Sequence, residues 1–357
     1  MYGIDYKTID IEAASDAFRA ELERGLNGEP SSLKMLPAYV SVPEKLPEEG
    51  SVLAIDAGGT HLRIAEVFFE KEGMRVGEVK DMMMPGFREE ISSDEFFERM
   101  AKLISAYDCE EVGFCFSYPG RVLPDHDAEI VEVTKEIFIK DIEGKILGAS
   151  INEFLEKMGS KPRKFTVLND TVAVLLGSSE RLRERHSCAM ALIQGTGCNM
   201  CYVEKDSIIN TECGNYDGFP RSEADIELDE GSAYAGEQLA EKMTGGRYLS
   251  MLTDMLCEKY GSDKKDSIHE LLYDRAARCV VSWMLGILKH CGADRALPSF
   301  VCVEGSTFMK AQLLQSRVYE YVRQYIIQSH GIDLRIVKAV DTTLTGAAAA
   351  AVSTRQR

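Results

Sequence analysis

The stretch from Val52 to Phe69 most constrains what this chain can fold into. It reads VLAIDAGGTHLRIAEVFF, in which two runs that suit β-strands flank two adjacent glycines. Apolar and polar residues alternate after the glycines, which predicts a strand and not a helix. The stretch is not a Walker phosphate loop, because the motif G-x-x-x-x-G-K-[ST] is missing and a strand follows where that loop needs a helix. A hairpin with a glycine turn is therefore expected.

The turn of this hairpin contains groups that bind anions. Gly58 and Gly59 lack Cβ atoms and can take positive φ, which would let backbone N–H groups close on a phosphate. Thr60 adds a hydroxyl donor, Arg63 adds a fixed cation, and the Asp56 carboxylate could hold hydrated Mg²⁺. The same residues would also suit an ordinary hairpin, so other parts of the chain must decide.

Overall charge restricts the partners of the chain. A net charge of −17 argues against binding of nucleic acid or of an anionic membrane, because both require a basic surface. The first residues are charged without an apolar signal region, and no run approaches the roughly 18 apolar residues of a membrane span. With ten scattered cysteines, which are expected to be reduced thiols, a cytoplasmic protein is predicted. Cys198 and Cys201 form a lone C-x-x-C without the second pair that a zinc site needs.

The predicted elements repeat along the chain, whose 357 residues suit two domains. Residues 1–29 are expected to form one amphipathic helix, and Gly77–Met84 is expected to be the third strand after the hairpin. A second hairpin, with the turn Gln194–Gly197, begins a second series of strands and helices like the first. A helix of this second series is predicted from about Gly236 to Tyr260. The repetition predicts a duplicated α/β unit with a cleft between its halves, the two glycine turns facing each other. Local signals also predict helix starts, such as the capping spacings of Ser92 with Glu95 and of Ser150 with Glu153.

Facing glycine turns and acidic strand ends suit phosphoryl transfer, which depends on positioning and charge stabilisation. Asp170 follows the apolar strand Phe165–Leu168 and is the candidate general base. Alternatively, it could be the N-cap of a helix that starts at Thr171. Lys135 could reach a hydroxyl or a phosphoryl oxygen, or it could lie in solvent.

Three further polar residues could hydrogen-bond a polyhydroxylated ligand, or could be ordinary turn and surface residues: Asn199, Glu212 and Glu241. The six histidines are dispersed, and neither a Ser-His-Asp arrangement nor a metallohydrolase motif is legible.

Taken in order, these segments resemble the hexokinase family from about Ser31 to Val352. AIDAGGTHLR resembles its D-x-G-G-T-N-x-R motif, LNDTVAVLLG its N-D-T-V segment, and LIQGTGCNMCYVE its second phosphate motif. The other similar segments are SSLKMLPAYV, FCFSYPG, VTKEIFIKDIEGKIL, NTECGNYDGFP, AGEQLAEKMTGGRYL, VEGSTF and LTGAAAAAV. Many similar segments in one order are far more specific than any one of them.

This resemblance implies an ATP-dependent kinase that transfers the γ-phosphoryl group of Mg-ATP to the 6-hydroxyl of a hexose, with glucose as the expected sugar. It implies two ribonuclease-H-like α/β domains of the actin-like ATPase type, each with a mixed five-stranded sheet, that close over the sugar. The small domain would contain 50–168 plus 341–357, and the large domain 1–49 plus 169–340. ATP and Mg²⁺ are the implied cosubstrate and cofactor, and a monomer or a homodimer is expected.

Roles follow residue by residue from the resemblance. Asp170 would be the general base, with Lys135 and Arg63 also acting at the transferred group. The sugar hydroxyls would be bound by Ser117, Thr134, Lys135, Asn169, Asn199, Glu212 and Glu241. Phosphoryl oxygens would be contacted by Thr60, Arg63 and Thr196 beside Gly58, Gly59 and Gly195, with Asp56 near Mg²⁺. The adenosine part would meet Gly305, Ser306 and a Thr345–Gly346 turn.

Three positions depart from the family pattern. His61 replaces the usual Asn and brings a group that titrates near neutrality close to phosphates. Cys213 replaces the usual Trp, which leaves sugar selectivity open, and Glu304 replaces the usual Asp. Two alternatives therefore stay open: a sugar-binding regulator with weak or no kinase activity, and a kinase for another hexose or for an acetylated hexosamine.

Overall fold

The computed structural model describes residues 2–133, 137–178, 184–205 and 207–356. Thr134 and Lys135, two of the predicted sugar-binding residues, lie outside the described residues. The chain divides into two compact units. Unit one contains Met1–Met35, Arg185–Tyr202 and Asn210–Lys338, and unit two contains Leu36–Glu184, Val203–Ile209 and Ala339–Arg357. These units group residues by their packing and do not test the predicted domain boundaries. Those boundaries stay a prediction.

Helices and strands alternate as an α/β chain. The helices are α1 (Ile11–Leu26), α2 (Ser93–Ser105), α3 (Leu147–Lys157), α4 (Asp170–Gly177), α5 (Glu223–Glu230), α6 (Glu241–Thr244), α7 (Gly246–Tyr260), α8 (Lys265–His290), α9 (Ser306–Lys310), α10 (Gln312–Tyr321) and α11 (Thr343–Ser353). The strands are β1 (Leu36–Pro37), β2 (Ser51–Ala57), β3 (His61–Glu70), β4 (Gly73–Val76), β5 (Lys80–Met83), β6 (Glu90–Ser92), β7 (Glu111–Phe116), β8 (Gly120–Val122), β9 (Ala128–Ile130), β10 (Phe138–Lys140), β11 (Lys164–Leu168), β12 (Cys188–Gln194), β13 (Cys198–Glu204), β14 (Ser207–Asn210), β15 (Ser299–Glu304) and β16 (Leu334–Lys338).

The main sheet of unit two has the strand order β11-β7-β2-β3-β4, and β5 also pairs with β3. β2 and β3 are antiparallel, which confirms the predicted hairpin, and Asp56 lies opposite Arg63. β7 pairs parallel with both β2 and β11. Consequently β2, β7 and β11 end at the same edge of the sheet, where the side chains that follow them meet.

The outer edge of this sheet differs from the prediction. Gly77 does not lie in a strand, so the predicted third strand Gly77–Met84 is wrong at its start, and β4 and β5 form instead. The Gly77 N–H donates to the Glu66 carbonyl at 2.8 Å. A Cβ on Gly77 would lie 2.9 Å from that carbonyl oxygen, so the chain bends where only glycine fits.

Both main sheets contain six strands among the described residues, not the predicted five. In one sheet, the break at Gly77 divides the edge into β4 and β5. In the other sheet, the two-residue strand β1 pairs with β14 at the edge. Short edge strands are hard to predict because so few residues contribute to the pattern.

The sheet of unit one supports the second glycine turn. β12 pairs antiparallel with β13 and parallel with β15, and β15 pairs parallel with β16. The predicted helix over residues 1–29 is shorter, because the Asp10 side chain accepts the Ala13 N–H and starts α1 at Ile11. The predicted helix from Gly236 to Tyr260 is interrupted at Gly245, which separates α6 from α7.

α3 is capped by a distant residue and not by the predicted Ser150 and Glu153. Its N-cap residue is Ile146, which has no side-chain cap. Asp127 instead accepts the N–H groups of Gly148 and Ala149 at 2.8 and 2.9 Å. The predicted cap is wrong because a tertiary carboxylate satisfies these donors.

α11 packs against α4 and the strands β2 and β7 in unit two. Its small residues allow a very close approach. A Cβ on Gly346 would overlap the Ala173 carbonyl oxygen of α4, and a Cβ on Gly113 of β7 would overlap the Ala347 carbonyl oxygen. In the part of the chain that the structure describes, none of the helices is long and apolar enough to cross a membrane.

Candidate active site

Polar residues gather where β2, β7 and β11 end in unit two. Asp56 lies opposite Cys115, and Leu168 also lies opposite Cys115. Burial raises the pKa of the Cys115 thiol well above its ordinary value, and the charges of Asp56 and Asp170 raise it further. A side-chain hydrogen bond with Ser117 acts in the opposite direction. The structure thus brings the predicted residues Asp56, Ser117 and Asp170 together around one buried thiol.

Asp170 is the first residue of α4, and Asn169 is the N-cap. The Asn169 Oδ1 accepts the Thr171 N–H at 2.9 Å. The alternative in which Asp170 caps a helix from Thr171 is therefore wrong. Asp170 Oδ1 accepts the same N–H at 2.7 Å and the Thr171 hydroxyl at 3.3 Å, so the helix terminus orients the carboxylate.

Asp56 is tied to Arg63, its neighbour across the hairpin. Arg63 donates to Asp56 Oδ2 from Nε at 3.1 Å and from Nη2 at 2.6 Å. The Thr343 hydroxyl donates to the same oxygen at 2.8 Å, and Asp341 accepts from Arg63 Nη1 at 3.1 Å. Burial alone would lower the pKa of Arg63, but its bonds to Asp56 and Asp341 raise it. Sequence reasoning missed Asp341 and Thr343, since nothing local connects them with a hairpin almost 300 residues earlier.

The first glycine turn is built differently from the prediction. Neither Gly58 nor Gly59 has positive φ, and the Gly58 N–H donates to the His61 carbonyl at 2.9 Å. The expected use of positive φ at these glycines is therefore wrong, and the Gly58 N–H already has an acceptor. His61 Nδ1 lies 2.8 Å from the Asp81 carboxylate, with both side chains exposed. Thr60, also in the turn, is exposed.

Tyr118 supports this turn and was not predicted from sequence. Its hydroxyl donates to the Gly58 carbonyl at 2.6 Å. Burial raises the pKa of Tyr118, so the hydroxyl stays a donor at neutral pH. We expect Tyr118→Phe to lower the free energy of unfolding by about 1 kcal/mol, because one hydrogen bond that shapes the turn is lost.

This expectation is checked by urea unfolding. Tyr107→Phe is the matched control, because the buried Tyr107 hydroxyl has no hydrogen-bond partner among the described residues. Equal free energies of unfolding for the two variants would contradict a role of Tyr118 in the turn.

The second glycine turn, in unit one, is held by two later segments, the start of α7 and α9. The Gly195 carbonyl accepts from the Gly246 N–H at 2.8 Å and from the Thr307 hydroxyl at 2.7 Å. The Thr196 carbonyl accepts the Arg247 N–H at 3.2 Å. Thr196 itself is exposed, so its side chain is accessible to a ligand.

Gly305 and Ser306 lie beside this second turn. Gly305 has a φ of 112° and is the N-cap of α9, which begins with Ser306. A Cβ on Gly305 would overlap the Gln194 backbone, so this position requires glycine for both its φ and its packing. The predicted phosphate turn and the predicted adenosine segment of unit one are therefore neighbours.

Thr345 and Gly346 do not form the predicted turn. Both lie inside α11, where the Thr345 hydroxyl donates to the Thr342 carbonyl at 3.0 Å. Gly346 is buried against α4. The need for glycine there is explained by helix packing, and contact with adenosine stays a prediction.

The predicted sugar-binding residues of unit one form a hydrogen-bonded cluster. Asn199 Nδ2 lies 2.8 Å from Asn210 Oδ1, and Asn210 Nδ2 lies 2.7 Å from Glu212 Oε1. Glu241 Oε2 accepts the Cys198 N–H at 3.1 Å, next to Asn199. A Cβ on Gly197 would overlap the Glu241 carboxylate, so the second turn closes directly onto this residue. Asn210 was missed from sequence, although it starts the NTECG segment.

Three buried thiols lie behind this cluster. Burial raises the pKa values of Cys198, Cys213 and Cys279, to about 12 for Cys279. These thiols are protonated at neutral pH, which disfavours metal or redox chemistry at Cys198, the first cysteine of the C-x-x-C segment. Within the described ranges, no group of three or more His, Cys, Asp or Glu could hold a metal ion.

The raised pKa of the Cys279 thiol predicts that the protein loses stability at alkaline pH. Its pKa rises from 9.0 to about 12 on folding, so the folded state retains a proton that the unfolded chain releases above pH 9.0. Stability from this group is complete below pH 9.0 and falls as the pH rises toward 12. We expect Cys279→Ala to reduce the slope of unfolding free energy against pH, by up to about 1.4 kcal/mol per pH unit.

Urea unfolding at a series of alkaline pH values measures this slope. Cys257→Ala, at a partly exposed cysteine of α7, is the comparison variant. Identical slopes for both variants would refute the assignment to Cys279.

Known proteins resemble this chain over most of its length. A family model described as Hexokinase matches residues 3–179, and a second one matches residues 189–266 and 263–353. Hexokinase-1 of Schizosaccharomyces pombe is 30% identical over 281 residues, which are 70% of this chain and 57% of that protein. The matched region thus covers less than two thirds of the length of that protein and of Hexokinase-1 from Arabidopsis thaliana.

Solved structures show the fold. A hexokinase crystal structure has a TM-score of 0.81 at 20% identity and covers 98% of this chain and 96% of its own. A hexokinase from Schistosoma mansoni complexed with glucose has a TM-score of 0.76 at 24% identity, with 98% and 95% covered. The predicted α/β fold class, with two domains of the actin-like sugar-kinase type, is confirmed.

The two family models together extend over almost the whole chain. Their order along the sequence agrees with the order of the motifs, from the first glycine turn to the small-residue helix α11. The chain belongs to the hexokinase family.

Proposed function

We propose that this protein phosphorylates a hexose at its 6-hydroxyl with ATP, giving hexose 6-phosphate and ADP, the entry step of glycolysis. The observation that carries the proposal is the grouping of Asp170, Ser117 and Asp56 at the ends of three neighbouring strands. Membership of the hexokinase family supports it. Glucose is the proposed sugar, because the similar Schistosoma mansoni hexokinase is described as complexed with glucose.

Asp170 would accept the proton of the 6-hydroxyl while that oxygen attacks the γ-phosphorus and the bond to ADP breaks. Its orientation by the start of α4 supports this role, because a general base has to be positioned before the reaction. In unit two, Ser117 and Asn169 would bind sugar hydroxyls, together with Thr134 and Lys135 from outside the described residues.

In unit one, Asn199, Glu212 and Glu241 would bind the remaining sugar hydroxyls. Their amide and carboxylate groups offer donors and acceptors that reject ligands without the matching hydroxyl. Phosphoryl oxygens would meet Thr60 and Arg63 of unit two and Thr196 of unit one, and adenosine would meet Gly305 and Ser306.

The residues around Asp56 fit a Mg²⁺ ion that arrives with ATP. Mg²⁺ usually takes one or two protein carboxylates and completes its shell with phosphate oxygens and water. Arg63 and Thr343 both donate to Oδ2 of Asp56, so this carboxylate is held in one orientation. When bound, the ion would neutralise charge on the phosphoryl oxygens. Arg63 would add a positive charge beside it.

A coupled assay for ADP release tests the function. The purified protein is given ATP and Mg²⁺ with glucose, mannose, fructose or an N-acetylated hexosamine. Glucose-dependent ADP release is expected. Turnover on the hexosamine alone would instead indicate a different sugar kinase, and glucose binding in calorimetry without ADP release would indicate a regulator.

We also propose the division into a small domain (50–168 plus 341–357) and a large domain (1–49 plus 169–340), a cytoplasmic location, and a monomer or homodimer. Light scattering after gel filtration measures the oligomeric state. Limited proteolysis followed by mass spectrometry tests the domain boundaries.

A further inference from the structure

Asn210 lies at the end of β14 and connects two proposed sugar-binding residues of unit one. Its Oδ1 accepts from Asn199 Nδ2 at 2.8 Å, and its Nδ2 donates to Glu212 Oε1 at 2.7 Å. The Asn210 side chain is only 5% exposed, so it is poorly accessible to a ligand itself. Both ends of the buried Asn210 amide therefore form hydrogen bonds with Asn199 and Glu212, which are proposed to bind the sugar.

The two ends of this amide differ chemically, which makes the arrangement directional. The oxygen end accepts only, so it selects the NH₂ end of Asn199, while the Asn199 oxygen accepts the Met200 N–H at 2.8 Å. The nitrogen end donates only, so it selects a carboxylate oxygen of Glu212. Asn199 and Glu212 are each given one orientation.

The backbone around Glu212 needs this support. Glu212 has a φ of 51°, in the left-handed region that residues other than glycine rarely adopt. Asn215 contacts its carbonyl from the following turn, through Nδ2 at 3.2 Å and through its N–H at 3.0 Å. The Glu212 N–H also approaches Asn210 Oδ1 at 3.4 Å. Asn210 thus contacts both the backbone and the side chain of Glu212.

We infer that Asn210 is a positioning residue for hexose binding: it orients the Asn199 amide and the Glu212 carboxylate toward the sugar without binding the sugar itself. This inference rests on the proposed function, because it concerns the same sugar-binding residues. It names a residue whose substitution should change sugar affinity selectively and not ATP affinity.

Asn210→Asp is the sharpest test, because it keeps the volume and replaces only the NH₂ donor by an oxygen. Two carboxylates then face each other, and at pH 7.5 we expect the Kd for glucose to rise about 10- to 100-fold. As the pH falls to about 5.5, the carboxylate pair takes up a shared proton, which restores a donor between them. The Kd for glucose should therefore fall again at least about threefold in the variant and not in the wild type. The thiol of Cys213, whose pKa is raised by burial, stays protonated throughout.

Asn152→Asp is the matched control. Asn152 also uses both amide ends, on the carbonyl of Arg163 at 2.9 Å and on its N–H at 2.8 Å, and Arg163 is not one of the proposed sugar-binding residues. Its substitution should lower Tm without changing the Kd for glucose. Calorimetry gives Kd, steady-state kinetics gives KM for ATP, and thermal unfolding gives Tm.

Two outcomes would overturn the inference. One is a glucose Kd for Asn210→Asp within about twofold of the wild type at pH 7.5. The other is a weakened Kd that does not recover at low pH and is accompanied by an equal rise in KM for ATP, as expected for general loss of structure. Both differ from failure of the proposed function itself, in which the wild-type protein neither binds nor phosphorylates any hexose.

Discussion

Replacement of Asp170 by alanine is expected to lower kcat about 10²- to 10⁴-fold and to change the KM for hexose only a few-fold. The carboxylate would act on the proton of the attacking hydroxyl, whereas several other residues bind the sugar. Asp170→Asn should have a similar effect, because the amide keeps the bond to the Thr171 N–H but is no base. The measurement is the steady-state rate of ADP release at saturating glucose and ATP.

A control substitution at the start of another helix distinguishes loss of the catalytic base from loss of helix stability. Asp94 lies exposed in the first turn of α2, and Asp94→Asn should remove a favourable helix-dipole contact while kcat stays unchanged. Near-normal turnover in both Asp170 variants would rule out Asp170 as the base. A drop of equal size in Asp94→Asn would attribute the effect to folding.

Gly346→Ala is expected to destabilise the protein by about 3 kcal/mol, at the upper end of the cost of overpacking. The added Cβ would overlap the Ala173 carbonyl oxygen, which belongs to the backbone of α4 and cannot rotate away. α4 would have to move, and Asp170 at its first position would move with it. Urea unfolding measures the free energy, and kcat is expected to fall in parallel.

Gly58→Ala is the matched control in the same unit. A Cβ on Gly58 would lie 3.5 Å from the His61 carbonyl oxygen, an ordinary contact, and the residue lacks positive φ. Its stability should therefore change by less than about 1 kcal/mol. A similar loss in both variants would refute the packing explanation. A Gly346→Ala protein of normal stability with a raised KM for ATP would support contact with adenosine instead.

Where local chemistry was sufficient, the sequence predicted the structure well. Alternation after the glycines predicted β3, and the β2–β3 hairpin has the expected antiparallel pairing. Ser92 caps α2 as its spacing with Glu95 indicated. Asp170 was found because it lies just after a buried strand, and the structure brings it close to Asp56 and Ser117.

Where a residue depends on a distant partner, the sequence was insufficient. The cap of α3 comes from Asp127 and not from its own first turn. Tyr118 and Asn210 lie inside recognised segments, but what they contact becomes visible only when the strands are assembled. Gly58 was expected to provide a positive φ, whereas its N–H closes the hairpin on His61.

By itself, the sequence determined the α/β class, the hairpin with Asp56 and Arg63 near its turn, and the strand end that presents Asp170. Periodicity, turn residues and caps act over a few residues, so their effects can be read along the chain. Only the tertiary structure decided that Thr343 binds Asp56 and that Gly346 packs against Ala173. Such contacts join residues that lie far apart in the sequence, and the close packing of backbones that creates them has no signature in local sequence.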